Sequence, residues 1–151
     1  MIEPTAGVLD GKTHLLPVRV YYEDTDFTGV VYHANYLRYF ERGRSDFLRL
    51  AGVSHTHLLA QDQPSAFAIT QMTIAFKRAA RVDDALVVRT EARGVKGVRL
   101  FFDQQVRRGD DLIATAEVEA VCITPDGRLL RPPADLVARL KPLFTLPQAL
   151  S

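Results

Sequence analysis

The chain has 151 residues and a mass of 16.9 kDa, which suits one domain with one hydrophobic core. Apolar residues make up 47% and charged residues 25%, and the formal net charge is +1. These values argue against a disordered chain and against a general electrostatic attraction to nucleic acid or anionic lipid. The single cysteine, Cys122, excludes an intrachain disulfide and a multi-cysteine zinc site.

The sequence also bears on where the protein works. No apolar run approaches the roughly 18 residues that a membrane helix needs, and the N-terminus lacks the basic start and apolar centre of a signal peptide. We therefore expect a soluble, cytoplasmic protein with no membrane span and no nucleic-acid partner. One lone cysteine agrees with a reducing compartment.

The first part of the chain is predicted to be an arm followed by a strand. Residues 1–14 contain one proline and two glycines and show no period, so we expect a flexible N-terminal arm. From Leu16 to Glu23 the side chains alternate, with Tyr22 on the apolar side. This alternation predicts a half-buried strand, and a single domain is expected to span residues 15–145.

A long amphipathic helix follows. Apolar side chains recur every three or four residues from Tyr36 to Leu50, and arginines mark the opposite face. The pattern predicts a helix from Asn35 to Ala51, about 25 Å long at a rise of 1.5 Å per residue. Gly52 suits the left-handed conformation that often ends a helix.

The remainder of the chain is rich in strands. A weak helical turn is expected over His57–Ala60, and a short terminal helix over Ala134–Leu143, just after two prolines. Short turns separate the later strands, so antiparallel pairing is expected. The apolar face of the long helix and one face of the antiparallel sheet must both be buried, and packing them against each other buries both. This predicts an α+β domain with the helix wrapped by a curved sheet. The predicted strands are Ala66–Lys77, Ala85–Gly94, Val98–Arg107 and Leu112–Thr124.

The segment YEDTDFTGVVYHAN joins the first strand to the long helix. A helix start presents unpaired N–H groups and a partial positive charge, so it can stabilise an oxygen on which negative charge develops. Asp26 lies a few residues before that start, and His33 immediately before it. A carboxylate at such a place suits hydrolysis of an activated acyl group, either by attacking the carbonyl or by deprotonating water. The alternative is that Asp24, Thr25 and Asp26 only cap turns.

Metal-binding interpretations of the chain are weaker. The spacing from Asp24 to Gly29 resembles the start of a calcium-binding loop, but the twelfth position is Asn35 instead of a bidentate Glu. His55 and His57 have no acidic or cysteine partner at a zinc-ligand spacing, and are interpreted as exposed polar residues. We therefore expect no metal and no cofactor.

Several further residues carry two interpretations. Basic residues in two turns, Arg81, Arg93 and Lys96 among them, could bind substrate phosphates or could simply be solvated. Glu41 is interpreted first as a helix-surface ion-pair residue. Cys122 lies on an alternating strand and is expected to be a small buried apolar residue.

The stretch VRVYYEDTDFTGVVYHANYLRYFERGRSDFL, Val18–Leu48, resembles the signature of the 4-hydroxybenzoyl-CoA thioesterase family. It is most similar to the YbgC-like acyl-CoA thioesterases, which are encoded with bacterial Tol–Pal genes. The specific core is YYEDTD-x-x-GVVYHANY. A looser match continues through IAFKRAARVDDALVVRT, Ile74–Thr90, so that the resemblance covers about residues 15–140.

The resemblance implies the hotdog fold, a long helix wrapped by a five-stranded antiparallel sheet. Members of the family form dimers by joining their sheets, often form tetramers, and carry their active sites at the dimer interface. They hydrolyse the thioester of acyl-CoA, and an acyl carrier protein is a further partner that the resemblance allows.

The resemblance also assigns roles to residues of the signature. Asp26 becomes the catalytic carboxylate, acting as general base or nucleophile. His33 orients the acyl group, the water or the thiolate, and Tyr22 helps to place Asp26. Phe27-Thr28 replaces smaller residues of many relatives, so the mouth of the site is expected to be narrower. The other residues expected to contact substrate are Gly29, Val30, Tyr32 and Asn35.

Three other function classes stay open at this point. A hotdog dehydratase would act on 3-hydroxyacyl carriers, but its usual proline-rich sequence is replaced after His33 by Ala34-Asn35. A non-catalytic acyl-CoA or acyl-carrier binding protein would bind without turnover. A scaffold near the cell-division or envelope machinery is suggested only by the gene neighbourhood of relatives.

Overall fold

The structure of the chain is a computed structural model that describes residues 1–146. Within that range, seven strands form one antiparallel sheet in the order β1-β2-β4-β5-β6-β3, with β7 paired to β6. The strands are β1 (Val8–Asp10), β2 (Thr13–Arg19), β3 (Ala66–Phe76), β4 (Ala85–Lys96), β5 (Arg99–Arg108), β6 (Asp111–Ile123) and β7 (Leu129–Leu130).

The α+β class is as predicted, and the strand count differs from five. β2, β3, β4, β5 and β6 are the five longer strands, whereas β1 has 3 residues and β7 has 2. Strands of two or three residues are too short to show an alternating pattern in the sequence, so β1 and β7 could not be predicted from periodicity. The four predicted strands after the long helix match β3 to β6 within one or two residues at each end.

The long helix, α1 (Asn35–Leu50), ends one residue before the predicted boundary. Its buried face includes Tyr39, Phe40 and Phe47, each with no exposed surface. Gly52 has a φ of +90°, which agrees with its predicted place just beyond the helix. The 3.6-residue period of the apolar side chains was therefore a sufficient signal for this element.

α1 lies directly on β4. A side chain at Gly43 would place its Cβ 2.8 Å from Thr90 Oγ1 and 2.8 Å from Val88 Cγ1, so only glycine allows this close approach. The buried Gln104 amide donates to the Phe40 carbonyl (2.8 Å) and to Thr90 Oγ1 (2.9 Å). These bonds fix the helix across the centre of the sheet.

The N-terminal segment departs from the predicted flexible arm. Residues 8–14 form β1 and the beginning of β2, which pair through Leu9 and His14 across a turn at Gly11. His14 is fully buried, its Nε2 lies 2.7 Å from the Ala6 carbonyl oxygen, and its ring packs on Phe47. Burial of the His14 side chain in the core therefore fixes the N-terminal segment against the domain, although the residue types of this segment predicted a loop.

The first predicted strand ends earlier than expected. β2 stops at Arg19, and Tyr22–Asp24 forms a short 3-10 helix. The Asp24 carboxylate accepts the N–H of Tyr21 (2.8 Å) and closes this turn. The Tyr22 side chain is consequently 83% exposed instead of lying on the apolar side of a strand.

Two short helices complete the chain. α2 (His55–Ala60) begins two residues before the predicted turn, because Ser54 Oγ accepts the N–H of His57 (3.1 Å) and caps its start. α3 (Ala134–Leu140) continues into a 3-10 turn, Lys141–Leu143, and together they span the predicted terminal helix.

Candidate active site

The loop between the 3-10 helix and α1 is tightly closed. The Asp26 N–H donates to the Val30 carbonyl (2.9 Å), and the Gly29 N–H donates to the Asp26 carbonyl (3.1 Å). Gly29 has a φ of +83°, a conformation that favours glycine. The spacing Asp-x-x-Gly is therefore the spacing that this turn requires.

The Asp26 carboxylate is held by its own loop. Its Oδ1 accepts the backbone N–H of Thr28 (2.8 Å) and the Thr28 hydroxyl (2.6 Å). These two bonds, the hydroxyl bond first, lower the pKa of Asp26 below its ordinary value. The carboxylate is consequently ionised at neutral pH, and its Oδ2 receives neither bond from Thr28.

Thr28 makes a contact that the sequence interpretation did not include. Phe27-Thr28 was expected to narrow the mouth of the site, and in the structure Thr28 is also the hydrogen-bond donor to Asp26. The signal was present in the sequence, because Asp followed two residues later by Thr is the spacing of a side-chain-closed turn.

The loop is anchored to the connection between β3 and β4. Val30 bridges to Arg81, the Val31 N–H donates to the Ala80 carbonyl (2.8 Å), and the Val82 N–H donates to the Gly29 carbonyl (3.2 Å). Asp26 is therefore carried by a fixed loop, and Arg81 is the predicted phosphate-binding residue that lies beside it.

The start of α1 is tied to the same loop. Asn35 Nδ2 donates to the Asp24 carbonyl (2.7 Å), and the Tyr32 N–H donates to the same oxygen (3.0 Å). Ala34 occupies the N-cap position and provides no side-chain hydrogen bond to the first turn. The N–H groups of Asn35, Tyr36 and Leu37 donate instead to the carbonyls of the three preceding residues, at 2.8, 3.4 and 3.2 Å, so the start of α1 offers a ligand oxygen its partial positive charge.

His33 stands between aromatic rings at this helix start. Its ring centroid lies 4.6 Å from that of Tyr32 and 6.2 Å from that of Phe76. Phe76 is the last residue of β3 and is 52% exposed. His33 and Tyr32 are also exposed, so these three rings form an accessible surface at the helix start.

Tyr22 enters the loop through its backbone. Its carbonyl accepts the Thr25 hydroxyl (2.7 Å) and the Thr25 N–H (3.1 Å), whereas its side chain projects into solvent. The hydrogen bonds to Asp26 described above come from Thr28. A role for the Tyr22 hydroxyl in placing Asp26 stays a prediction.

Arg93 and Lys96 lie far from this loop within one chain. The loop is anchored at residues 80–82, just before β4 begins, and Lys96 is the last residue of β4. Twelve residues of strand extend over roughly 35 Å. Arg93 Nε lies 3.6 Å from Asp103 Oδ2. One chain therefore does not gather these two residues around the same ligand as Arg81.

Other candidate groups are accounted for by packing. Cys122 has no exposed surface, and burial raises the pKa of its thiol to about 11, so it is the small apolar residue that was expected.

Across residues 1–146, no helix is long and apolar enough to cross a membrane. The same part of the chain contains no group of three or more His, Cys, Asp or Glu side chains arranged for a metal ion.

The architecture and the loop define a thioesterase of the hotdog class, and comparison with known proteins agrees. Residues 20–140 match the model of the Thioesterase-like superfamily, and the chain belongs to this family. The structure superposes on a probable thioesterase from Bartonella henselae with a TM-score of 0.78 and 41% identity, covering 80% of this chain and 99% of that one.

Two curated relatives refine the placement within the family. The chain is 44% identical over 107 residues to the acyl-CoA thioesterase YbgC of Haemophilus influenzae, covering 71% of this chain and 78% of the relative. It is 43% identical over 110 residues to the acyl-CoA thioester hydrolase YbgC of Escherichia coli O6:H1, covering 72% and 81%. The YbgC-like resemblance and the hotdog fold predicted from the sequence are both confirmed.

Proposed function

We propose that the chain hydrolyses acyl-CoA thioesters to the free acid and CoA, with Asp26 as the catalytic carboxylate. The observation that carries this proposal is the position of Asp26, an ionised side chain in a fixed loop a few residues before the start of α1. The relatives named acyl-CoA thioesterases support the same reaction.

The reaction follows from that arrangement. Asp26 Oδ2 accepts a proton from water, and the resulting hydroxide attacks the thioester carbonyl. The partial positive charge at the start of α1 stabilises the negative charge on the carbonyl oxygen of the tetrahedral intermediate. The carbon–sulfur bond then breaks, and the CoA thiolate takes the proton from Asp26. Alternatively, Oδ2 attacks the carbonyl itself, and water hydrolyses the resulting anhydride.

The other signature residues surround this centre. His33 orients the acyl group, the water or the thiolate, and Tyr22, whose side chain is exposed, helps to place Asp26. Arg81 is placed to hold a phosphate of CoA beside the loop. The backbone of the loop and helix start positions the thioester through Gly29, Val30, Tyr32 and Asn35.

The alternative functions receive less support. A dehydratase and a non-catalytic binding protein would share the fold, but the relatives at more than 40% identity are named thioesterases or thioester hydrolases. An acyl carrier protein as a second source of substrate, and residence in the cytoplasm, belong to this proposal as expectations from the family.

We also place the active form as a dimer joined through β3. β3 is an edge strand of 11 residues that pairs only with β6 in the described part of the chain. A long uncovered edge is unfavourable for an isolated protein, and Ile69 and Phe76 on this strand are 44% and 52% exposed. Antiparallel pairing of two β3 edges covers both features. A tetramer is a further step, which the family suggests.

The test is release of CoA thiol from a panel of acyl-CoAs. Asp26→Asn removes the basic carboxylate, so we expect turnover to fall by about 10²- to 10⁴-fold. Asp10→Asn makes the same chemical change on exposed β1 and should leave turnover unchanged. Equal turnover by Asp26→Asn and the native protein would refute the role of Asp26, and no release from any acyl-CoA would refute the activity.

A further inference from the structure

The connection between β3 and β4, residues 77–84, holds the Asp26 loop through three consecutive residues. These are Ala80, Arg81 and Val82, whose backbones pair with that loop. A shift of this β3–β4 connection therefore moves the Asp26 carboxylate relative to the start of α1. The contacts that fix the connection thus bear on the geometry of the proposed reaction.

Arg108, the last residue of β5, bonds to both ends of the segment that contains these three residues. Its Nη1 donates to the Ala79 carbonyl (3.1 Å) and to Asp84 Oδ2 (2.8 Å). The same Asp84 oxygen accepts the Arg81 N–H (2.9 Å). One guanidinium therefore closes the turn whose middle residues hold the Asp26 loop.

The Arg108–Asp84 pair is partly shielded from solvent, since the two side chains are 32% and 25% exposed. Partial burial disfavours the charged Asp84 carboxylate, but the Arg81 N–H and the Arg108 guanidinium outweigh this effect and lower the pKa of Asp84 below its ordinary value. Both partners are consequently charged at neutral pH. A charge-assisted bond of 2.8 Å between them is of the stronger kind, which suits it to hold a turn in one conformation.

The β3–β4 connection also contains a strained residue. Asp83 has a φ of +71°, a conformation that is uncommon outside glycine and persists where surrounding contacts enforce it. The Asp83 N–H donates to the Val20 carbonyl (2.9 Å), and the Val20 N–H donates to the Asp84 carbonyl (2.9 Å), so this end of the turn is fixed to the chain just after β2. Arg108 ties the Ala79 end to the fixed end.

The neighbouring Arg107 holds a different part of the chain. Its Nε donates to Gln105 Oε1 (2.8 Å), and its Nη1 donates to the Asp110 carbonyl (3.3 Å), both within the β5–β6 hairpin. Two adjacent arginines of equal charge therefore differ in what they hold, which provides a matched control.

We propose that Arg108 is a positioning residue for thioester hydrolysis. By holding the β3–β4 connection, it fixes Asp26 Oδ2 relative to a thioester bound at the start of α1. The proposal rests on the thioesterase activity proposed above. Arg108 acts through the turn and not on the substrate, so its loss lowers turnover more than substrate binding. A misplacement of about 1 Å can lower a rate by about a hundredfold, so a small shift of the loop is measurable.

The first experiment removes the guanidinium. In Arg108→Gln, kcat for one acyl-CoA should fall at least about fivefold while KM changes less than about twofold. Arg107→Gln removes the same charge one residue earlier and should leave both values unchanged. An unchanged kcat in Arg108→Gln, equal losses in the two variants, or a loss confined to KM would overturn the proposal.

A double-mutant cycle with Asp84→Asn tests whether Arg108 acts through the turn. Asp84→Asn weakens the bond to Arg108 but keeps an oxygen that accepts the Arg81 N–H. If Arg108 and Asp84 act through one contact, the double variant loses less kcat than the product of the two single losses. Losses that simply multiply would show that the two residues act independently, and would contradict the proposal.

Backbone hydrogen exchange follows the loop without any substrate. The N–H groups of Val31 and Val82 bond across the contact between the loop and the β3–β4 connection, so they should exchange faster in Arg108→Gln than in the native protein or in Arg107→Gln. Unchanged exchange at these two residues, or faster exchange throughout the sheet, would refute a local hold on the loop.

The exchange measurement also separates this proposal from the proposed function. If the native protein hydrolyses no acyl-CoA while Val31 and Val82 exchange faster in Arg108→Gln, the activity is refuted and the hold of Arg108 on the loop is confirmed. If the native protein is active and the exchange result holds but kcat is unchanged, the positioning role alone is refuted. Circular dichroism confirms folding, and Asp84→Asn replaces Arg108→Gln if that variant is unfolded.

Discussion

Thr28 controls the protonation of Asp26 through a hydroxyl bond of 2.6 Å and a backbone bond of 2.8 Å to the same oxygen. Both bonds favour the charged carboxylate, so the pKa of Asp26 lies below its ordinary value. A base with a low pKa remains ionised when the pH falls, and activity that depends on it persists into mildly acidic solution.

Thr28→Val is expected to shift the acid limb of the pH profile. The substitution removes the hydroxyl bond, which is the largest cause of the lowered pKa, so the pKa of Asp26 rises. Because the ionised form is the active one in the proposed mechanism, kcat/KM will begin to fall at a higher pH than in the native protein. The measurement is kcat/KM against pH with one acyl-CoA.

Thr28→Ser provides the matched control, since it keeps the hydroxyl and the backbone N–H. Its acid limb should coincide with that of the native protein. If Thr28→Val and Thr28→Ser gave the same profile, the hydroxyl of Thr28 would have no influence on the catalytic base.

Asp24 shows why part of this site escaped sequence interpretation. The residue was correctly suspected of capping a turn, and the turn it closes ends the strand and exposes Tyr22. The alternation of side chains through Glu23 could not reveal this, because a local bond from a carboxylate to a backbone N–H competes with strand pairing. The local hydrogen bond of the Asp24 carboxylate therefore determines where Tyr22, one of the predicted site residues, lies.

Elements with a strong period were predicted well, and elements held by tertiary contacts were not. The period of α1 reports its buried face directly, and its boundaries follow within one residue. The hairpin of β1 and β2 depends on a turn at Gly11 and on burial of His14, neither of which produces a period. The same reason explains the contact between α1 and α2, where Ser45 and His55 meet only in the folded chain.

His14 makes the stability of this hairpin depend on pH. Burial lowers the pKa of His14 from its ordinary value of 6.5, because the protonated ring is poorly solvated in the core. The unfolded chain then binds a proton more readily than the folded chain. Its contribution to stability is complete above about pH 6.5 and is lost as the pH falls toward the folded-state pKa.

We therefore expect the Tm of the native protein to fall between pH 7.5 and pH 5 more steeply than that of His14→Gln. Glutamine does not titrate and can still donate to the Ala6 carbonyl, which accepts the bond from His14. The difference in Tm between the two proteins, measured by thermal unfolding at each pH, reports the histidine alone. Parallel Tm curves would show that protonation of His14 does not destabilise the fold.

At the scale of the whole molecule, the two edges of the sheet differ. One edge is β1, which has 3 residues, and the other is β3, which has 11. Exposed apolar side chains occur on both edges, Val8 and Leu9 on β1 and Ile69 and Phe76 on β3, but the long edge lies next to the His33 ring through Phe76. The edge that would join two copies is thus also the edge that lies beside the start of α1 and the proposed catalytic loop.

Ile69→Lys should convert the proposed β3-edge dimer into a monomer. Ile69 is 44% exposed on β3, and antiparallel pairing about a two-fold axis brings the same strand of both copies together, so each dimer would gain two buried charges. Val8→Lys adds the same charge to β1 at the opposite edge, where Val8 is 59% exposed, and should leave the dimer intact. Sedimentation equilibrium gives the mass of each variant. A dimeric Ile69→Lys would place the interface elsewhere than at the β3 edge and would contradict the proposed dimer.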